Sequence, residues 1–137
     1  MAHPGIHAAS RPDAPALIMA TSGETTTWAE LRRRSVAAAN ALHDVGLRAG
    51  DPVAFCLENR AEFAVLVWAC HDAGYRYTPI STRLTPDEVA YIVGDCGASV
   101  YLHSERTAAA SRAVAALAGV DHVIDIDDPG SFDLEDD

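Results

Sequence analysis

The sequence predicts an α/β fold built on a mostly parallel sheet, with strands and helices alternating along the chain. The predicted strands begin at residues 52, 75, 98 and 121, which are 23 residues apart. That step is the length of one strand, one short helix and two loops. These segments are mostly apolar rather than alternating, as expected of strands that are covered on both faces. Strand and helix alternating at this step favour parallel strands joined by crossover helices.

The first third of the chain predicts a strand, a turn and a long helix. Residues 16–20 are apolar and consistent with a strand, and residues 21–26 predict a turn built on Ser22 and Gly23. Thr27 is the predicted N-cap, because its hydroxyl can accept from the amide three residues on while Glu30 reaches back. The helix that follows ends near Gly46 and has one inward stripe, formed by Leu31, Ser35, Ala38, Leu42 and Val45.

The rest of the chain predicts four strands with three helices between them. The strands are predicted at residues 52–57, 75–80, 98–103 and 121–126. The helices are predicted at residues 60–73, 86–93 and 105–118, with caps at Asn59, Thr85 and Ser104. Helix 60–73 is apolar almost all round, and the sequence shows no obvious cover for its outer face. We therefore expect exposed apolar surface around Phe63, Val67 and Trp68, and with it self-association or marginal stability.

Negative charge is concentrated at the C-terminus. The 137 residues carry a net charge of −10, and residues 121–137 hold eight acids and no base. The first 120 residues therefore hold twelve acids against ten bases, a net of −2. This division predicts a domain over residues 1–126 and a flexible acidic tail over residues 127–137, with an acidic interaction segment as the alternative. Nucleic acid is excluded as a partner, because no basic surface could neutralise a run of phosphates.

The cysteines and the N-terminus indicate a cytoplasmic protein. Cys56, Cys70 and Cys96 lie in apolar stretches, which favours buried thiols in a reducing compartment. The N-terminus lacks a charged start followed by an apolar run, and no apolar stretch approaches transmembrane length. The histidines and cysteines show no metal-ligand spacing, so no metal site is predicted.

Three arginines are the candidate binding residues. Arg60, Arg83 and Arg106 follow three successive predicted strands and are again 23 residues apart. In a parallel sheet, ligands bind beyond the carboxyl ends of the strands. One interpretation is an anion-binding rim for the phosphates of a nucleotide or of coenzyme A. The alternative is ordinary solvated arginines, since all ten basic residues of the chain are arginine and none is lysine. No catalytic residue is predicted, and Glu24 makes the turn at residues 21–26 a poor phosphate loop.

The chain resembles the early part of the adenylate-forming ligases, and of the acyl-CoA synthetases in particular. The resemblance spans roughly residues 5–126 and depends on several motifs in this order and spacing. These motifs are RPDAPALI at residues 11–18, TWAEL at 27–31, GLRAGDPVAFCLENRAEF at 46–63, HDAGYRYTPIS at 71–81 and RLTPDEVAYIVGDCGAS at 83–99.

The resemblance implies an incomplete N-terminal subdomain of the ligase fold. Complete members activate a carboxylic or fatty acid with ATP, release pyrophosphate and transfer the acyl group, usually to coenzyme A. ATP, Mg²⁺ and coenzyme A are thus implied for the complete enzyme, with none bound by this segment alone. The family's phosphate loop and adenylation lysine lie further along than residue 137, and a chain without lysine cannot hold that lysine.

Several functional hypotheses remain open. The first is an N-terminal fragment of a fatty-acyl-CoA synthetase, inactive alone and partnered by the remainder of the ligase or by itself. The second is a non-catalytic α/β interaction module that complements or oligomerises with a partner chain. The others are a fragment of another carboxylate-activating adenylation domain and a small ligand-binding domain that uses the arginine edge.

Overall fold

Strands and helices alternate through most of the chain. A computed structural model describes residues 3–132 and 134. The elements in chain order are α1 (Pro4–Ser10), β1 (Pro15–Ile18), β2 (Thr25–Thr27), α2 (Trp28–Asp44), β3 (Pro52–Cys56), α3 (Ala61–Ala73), β4 (Arg76–Pro79), α4 (Pro86–Asp95), β5 (Val100–His103), a 3₁₀ turn (Ala108–Ala110), α5 (Ser111–Ala115) and β6 (His122–Asp125).

The four predicted strands form one parallel sheet in the order β4-β3-β5-β6. The predicted fold class is confirmed. Val53 of β3 lies opposite Val100 of β5, which lies opposite His122 of β6. This register brings the carboxyl ends of all four strands to one edge of the sheet.

Helices cover both faces of the sheet and divide the core in two. On one face, Val53 and Phe55 of β3 pack with α2 and α3 in a core that includes Leu31 and Leu42. On the other face, Ala54 and Tyr101 pack with α4 and α5. Both faces of the central strands are therefore dry, which explains why their sequences do not alternate.

Two predicted helix caps are present and two are wrong. Thr27 accepts from the Glu30 amide and Glu30 accepts from the Thr27 amide, both at 3.1 Å, and Thr85 accepts from the Glu88 amide at 3.3 Å. The predicted cap at Asn59 is wrong, because α3 has its N-cap at Arg60. The predicted cap at Ser104 is also wrong, since α5 begins at Ser111 after a 3₁₀ turn.

The helix predicted over residues 105–118 is shorter in the structure, because residues 104–107 form a hydrogen-bonded loop instead of its first turn. The hydroxyl of Ser104 donates to Glu58, and the hydroxyl of Thr107 donates to the carbonyl of Cys56. These bonds hold residues 104–107 as a loop against the end of β3. An α-helix starting at Glu105 would have to break them.

Sequence reasoning missed α1 and β2. The turn at residues 21–26 belongs to an antiparallel hairpin of β1 and β2, in which Gly23 has φ of 75°, a left-handed conformation that favours glycine. Helix α1 follows His3, whose ring meets Trp68 of α3 edge-on at 5.5 Å. The expectation of exposed apolar surface around Phe63, Val67 and Trp68 is wrong, because all three side chains are half-buried. His3 covers Trp68, and Phe63 packs edge-on against Phe55 with ring centroids 5.4 Å apart. Self-association through this surface stays a prediction.

The C-terminal segment contributes to the core as far as it is described. Phe132 and Leu134 are 7% and 6% exposed and pack with Ile124 and Ile126. The remaining acids of the predicted tail, Asp133, Glu135, Asp136 and Asp137, lie outside the described residues. The domain boundary at residue 126 and the flexibility of the tail stay predictions.

Two further findings concern the cysteines and the apolar character of the helices. Cys56 and Cys70 are buried free thiols, and Cys96 is a half-buried one. None of the helices within residues 3–132 has the length and apolar character needed to cross a bilayer.

Candidate functional site

The loops that leave β3, β5 and β6 meet at the carboxyl edge of the sheet. The chain leaves β3 through Glu58 and Arg60, leaves β5 through Ser104, and leaves β6 through Asp127. These side chains form a connected set of hydrogen bonds, which we call the edge cluster: Glu58, Arg60, Glu62, Ser104, Thr107 and Asp127.

Arg60 is the centre of the edge cluster. Its Nη1 and Nη2 donate to the two carboxylate oxygens of Asp127 at 2.9 and 2.8 Å. Its Nε donates to Glu62 at 2.8 Å, and its Nη1 also donates to Glu58 at 3.2 Å. Arg34 of α2 donates to the other oxygen of Glu62 at 2.9 Å. The guanidinium of Arg60 is thus surrounded by carboxylates, which compete with any external anion.

The charges in the edge cluster shift one another's pKa values. The hydrogen bonds from Arg60 and from the Glu105 amide hold the pKa of Asp127 below its ordinary value. Burial acts to raise the pKa of Glu62, but hydrogen bonds from Arg60 and Arg34 outweigh it and lower that pKa. The bond to Asp127 in turn raises the pKa of Arg60. All of these groups are charged at neutral pH.

Ser104 and Thr107 tie the end of β5 to the end of β3. The Ser104 hydroxyl donates to Glu58 at 2.6 Å, and the Thr107 hydroxyl donates to the Cys56 carbonyl at 2.7 Å. The Thr107 hydroxyl also accepts from the Ser104 amide at 2.9 Å. Burial acts to raise the pKa of Glu58, but the bonds from Ser104 and Arg60 bring it below its ordinary value. Because Ser104 is fully buried, its hydroxyl positions Glu58 and is not exposed to a substrate.

The structure brings the three candidate arginines to the same edge but places them differently. Arg106 lines a groove of about 340 Å³ with Thr82 and Glu58. Arg83 lines a second groove of about 460 Å³, which shares Thr82 and Glu58 with the first. Both arginines are exposed, whereas Arg60 lies behind Glu58 in the edge cluster. Anion binding by Arg83 and Arg106 stays a prediction.

Sequence reasoning identified Arg60 but missed its partners. Glu58 and Glu62 flank Arg60 in the sequence, and such alternating charges at a strand-to-helix junction could have suggested an ion cluster. Asp127 lies 67 residues away, and no local pattern connects it to Arg60. Only the parallel register of the sheet brings the two side chains together.

The carboxylates of the edge cluster accept hydrogen bonds from donors within the cluster itself. Glu58, the carboxylate that both grooves share, accepts from Ser104 and from Arg60. Among the described residues, no group of three or more histidine, cysteine or acidic side chains is arranged to hold a metal ion. The hydrogen bonds of the edge cluster join the three loops that leave β3, β5 and β6.

Comparisons with known proteins give a consistent result. A family model described as AMP-binding enzyme matches residues 6–136. A feruloyl-CoA synthase of Amycolatopsis sp is 37% identical over 94 residues, which cover 69% of this chain and 19% of that protein. A linear gramicidin synthase of Brevibacillus parabrevis is 32% identical over 90 residues, covering 66% of this chain and 2% of that protein.

A similar fold occurs in a solved structure. The Mycobacterium tuberculosis fatty acyl CoA synthetase superposes with a TM-score of 0.83 at 27% identity, covering 91% of this chain and 26% of that one. The chain therefore spans about a fifth of the feruloyl-CoA synthase and about a quarter of the solved synthetase.

Proposed function

The chain belongs to the AMP-binding enzyme family, and we propose that it forms the N-terminal part of an acyl-CoA synthetase. In the complete enzyme, ATP and a carboxylic or fatty acid would give an acyl-adenylate and pyrophosphate, and coenzyme A would take the acyl group. The observation that supports this proposal most directly is the family match over residues 6–136, combined with coverage of only 19% of a CoA-forming relative.

We propose further that this chain has no ligase activity by itself. The sequence has no lysine, and the carboxylates described at the edge of the sheet are held by Arg60 and Ser104. What the chain supplies is a scaffold: a parallel sheet whose carboxyl edge is fixed by the edge cluster. The groups that grip the nucleotide would come from the part of the ligase that the chain does not span.

The test is pyrophosphate release from ATP, Mg²⁺ and a series of fatty and aromatic acids. The chain alone is expected to release none. The chain mixed with a separately expressed polypeptide that carries the rest of a related synthetase is expected to restore release. Turnover by the purified chain alone would contradict the proposal of inactivity, and failure of every mixture to turn over would contradict the proposed role.

A second candidate is a fragment of an adenylation domain that does not use coenzyme A. The match to a linear gramicidin synthase at 32% identity favours it. The two candidates separate by the partner that restores adenylate formation in the mixed assay. The first predicts restoration by the remainder of an acyl-CoA synthetase, and the second by the remainder of an adenylation domain of a linear gramicidin synthase.

Within the first proposal, Arg83 and Arg106 are the arginines that would contact phosphate groups of a nucleotide or of coenzyme A. They are exposed in grooves at the carboxyl edge, whereas Arg60 is engaged with carboxylates. Substituting Arg83 or Arg106 by Ala is expected to weaken ATP or coenzyme A binding by the mixed enzyme. Equal affinities of both variants and the wild type would show that these arginines are only solvated.

A further inference from the structure

A cleft lined by aromatic rings is formed by helix α3, strand β4 and the residue that caps α1. Its volume is about 270 Å³, and we call it the aromatic cleft: His3, Val67, Trp68, His71 and Tyr77. Four of these side chains are aromatic rings, and among the described residues that line the cleft there is no arginine and no acid. The aromatic cleft shares no residue with the edge cluster or with the two grooves at the carboxyl edge.

The rings of the aromatic cleft lie in different planes. The rings of His3 and Trp68 meet edge-on at 77°, with centroids 5.5 Å apart. The rings of Trp68 and His71 are inclined at 55°, with centroids 5.3 Å apart. The ring of Tyr77 stacks on Phe55 at 18°, with centroids 6.2 Å apart, so Phe55 holds it in place on the sheet. Rings inclined to one another around a common space can surround a ligand on several sides.

The His3 ring is fixed by hydrogen bonds at both of its nitrogen atoms. Its Nδ1 accepts from the Gly5 amide at 2.9 Å, so the ring proton is on Nε2, which bonds to Asp72. Asp72 in turn accepts from Arg32. With both nitrogen atoms engaged, the ring acts as a neutral aromatic wall of the cleft and offers no N–H to a ligand.

The lining of the aromatic cleft favours an organic cation. An anion needs donors such as arginine, which the lining lacks. The face of an aromatic ring attracts a cation within about 6 Å of its centroid, and tryptophan does so most strongly. The methyl groups of a quaternary ammonium ion are apolar and can pack against Val67 and the rings. The net charge of −10 on the chain also attracts cations, and a volume of about 270 Å³ suits a small ligand.

We propose that the aromatic cleft binds a small organic cation that carries a quaternary ammonium group. Trp68 and Tyr77 provide the main cation–π contacts, and Val67 and the two histidine rings complete the walls. This inference does not depend on the proposed function, because it concerns residues to which the ligase proposal gives no role.

The test compares choline with neohexyl alcohol, which has the same shape but a carbon atom in place of the charged nitrogen. The chain has two tryptophans, so its NMR spectrum contains two indole N–H resonances. Choline is expected to shift the Trp68 resonance saturably and to leave that of Trp28 unchanged, because Trp28 packs against His7 and does not line the cleft. Neohexyl alcohol is expected to bind at least about tenfold more weakly, because it lacks the cation–π attraction.

Three variants locate the site within the chain. Trp68→Leu removes the ring, keeps an apolar side chain, and is expected to weaken choline binding about tenfold. Tyr77→Leu removes a weaker contact and is expected to weaken binding about threefold. Trp28→Phe is the matched control, since it changes the other tryptophan and also assigns the two indole resonances. It is expected to bind choline as the wild type does.

The comparison of the two ligands on the wild-type chain decides the proposal even if Trp68→Leu does not fold. Equal affinities for choline and neohexyl alcohol would show that the cleft is merely apolar and would overturn the proposal. Absence of a saturable Trp68 shift at millimolar choline would overturn it as well. A shift confined to Trp28, or unchanged choline affinity in a folded Trp68→Leu variant, would place any binding elsewhere and would also overturn it.

Discussion

Removing the guanidinium of Arg60 should destabilise the fold, and loss of the bonds to Asp127 should account for about half of the effect. The variant is Arg60→Met, which keeps much of the apolar stem and loses all four hydrogen bonds to carboxylates. The side chains of Arg60 and Asp127 are 26% and 27% exposed, between a surface pair and a buried one. The matched control is Arg83→Met, which changes an exposed arginine on the same edge of the sheet.

The expected loss of unfolding free energy lies between the values for an exposed ion pair and for a sheltered one. Exposed ion pairs contribute about 0.2–1 kcal/mol, and hydrogen bonds to charged groups in sheltered positions contribute about 1.5–3 kcal/mol. We therefore expect Arg60→Met to lower the free energy of unfolding by about 2 kcal/mol, and Arg83→Met by less than about 0.5 kcal/mol. The paired bonds to Asp127 should account for about 1 kcal/mol of coupling.

The assay is urea unfolding at pH 7 of a double-mutant cycle with Asp127→Asn. The cycle isolates the pair from the effect of Glu62, which keeps its bond from Arg34 in every variant. A coupling energy below about 0.3 kcal/mol would refute the reasoning, because it would mean that this bidentate pair behaves as an ordinary surface pair.

The edge cluster also predicts that the fold loses stability as the pH falls. The pKa values of Glu58, Glu62 and Asp127 are lowered in the folded chain, so the folded state binds fewer protons than the unfolded one. The stability that these three carboxylates contribute is complete above the ordinary pKa of a carboxyl group, about 4. It is lost as the pH falls through their lowered pKa values. Unfolding midpoints measured from pH 6 to pH 2 should fall less steeply in Arg60→Met than in the wild type, and parallel curves would contradict the assignment.

Three further predictions concern the core, a helix cap and the cysteines. Leu42→Ala leaves a cavity at a fully buried position and should lower the free energy of unfolding in urea by about 2–5 kcal/mol. Val36→Ala, on the exposed side of the same helix, should lower it by less than about 0.5 kcal/mol. Equal losses would mean that α2 is not oriented as described. Thr27→Ala removes the capping box and should cost about 1 kcal/mol, with Thr27→Ser restoring most of it; no change in Thr27→Ala would exclude the cap. Burial raises the pKa of the Cys70 thiol to about 12, so this thiol is not ionised at pH 8. A thiol reagent at pH 8 should therefore label Cys96 first and Cys70 only when the chain unfolds. Early labelling of Cys70 would contradict its burial.

Most of the sheet could be predicted from the sequence because its signals are local. The 23-residue step, the caps at Thr27 and Thr85 and the inward stripe that includes Leu31 and Leu42 each depend on residues a few positions apart. The predicted helix starts were wrong where contacts with distant residues override the local helical preference. Residues 105–107 form no α-helix because Ser104 and Thr107 bond to the end of β3, which is about 50 residues away in the sequence.

The candidate site was less predictable than the fold. The sequence placed Arg60, Arg83 and Arg106 at one edge, and the structure agrees on that position. It could not show that Arg60 faces three carboxylates, because Asp127 reaches it only through the pairing of β3, β5 and β6. Likewise, nothing near helix α3 in the sequence indicates that His3 covers Trp68.

By itself, the order of residues determined the alternation of strands and helices, the apolar faces and the membership of a ligase family, since each is recorded in spacing and motif. The tertiary structure alone decided which charged side chains meet and which residues cover helix α3. Those outcomes depend on strand order and register, and the 4-3-5-6 arrangement brings together side chains that are separated by half of the chain.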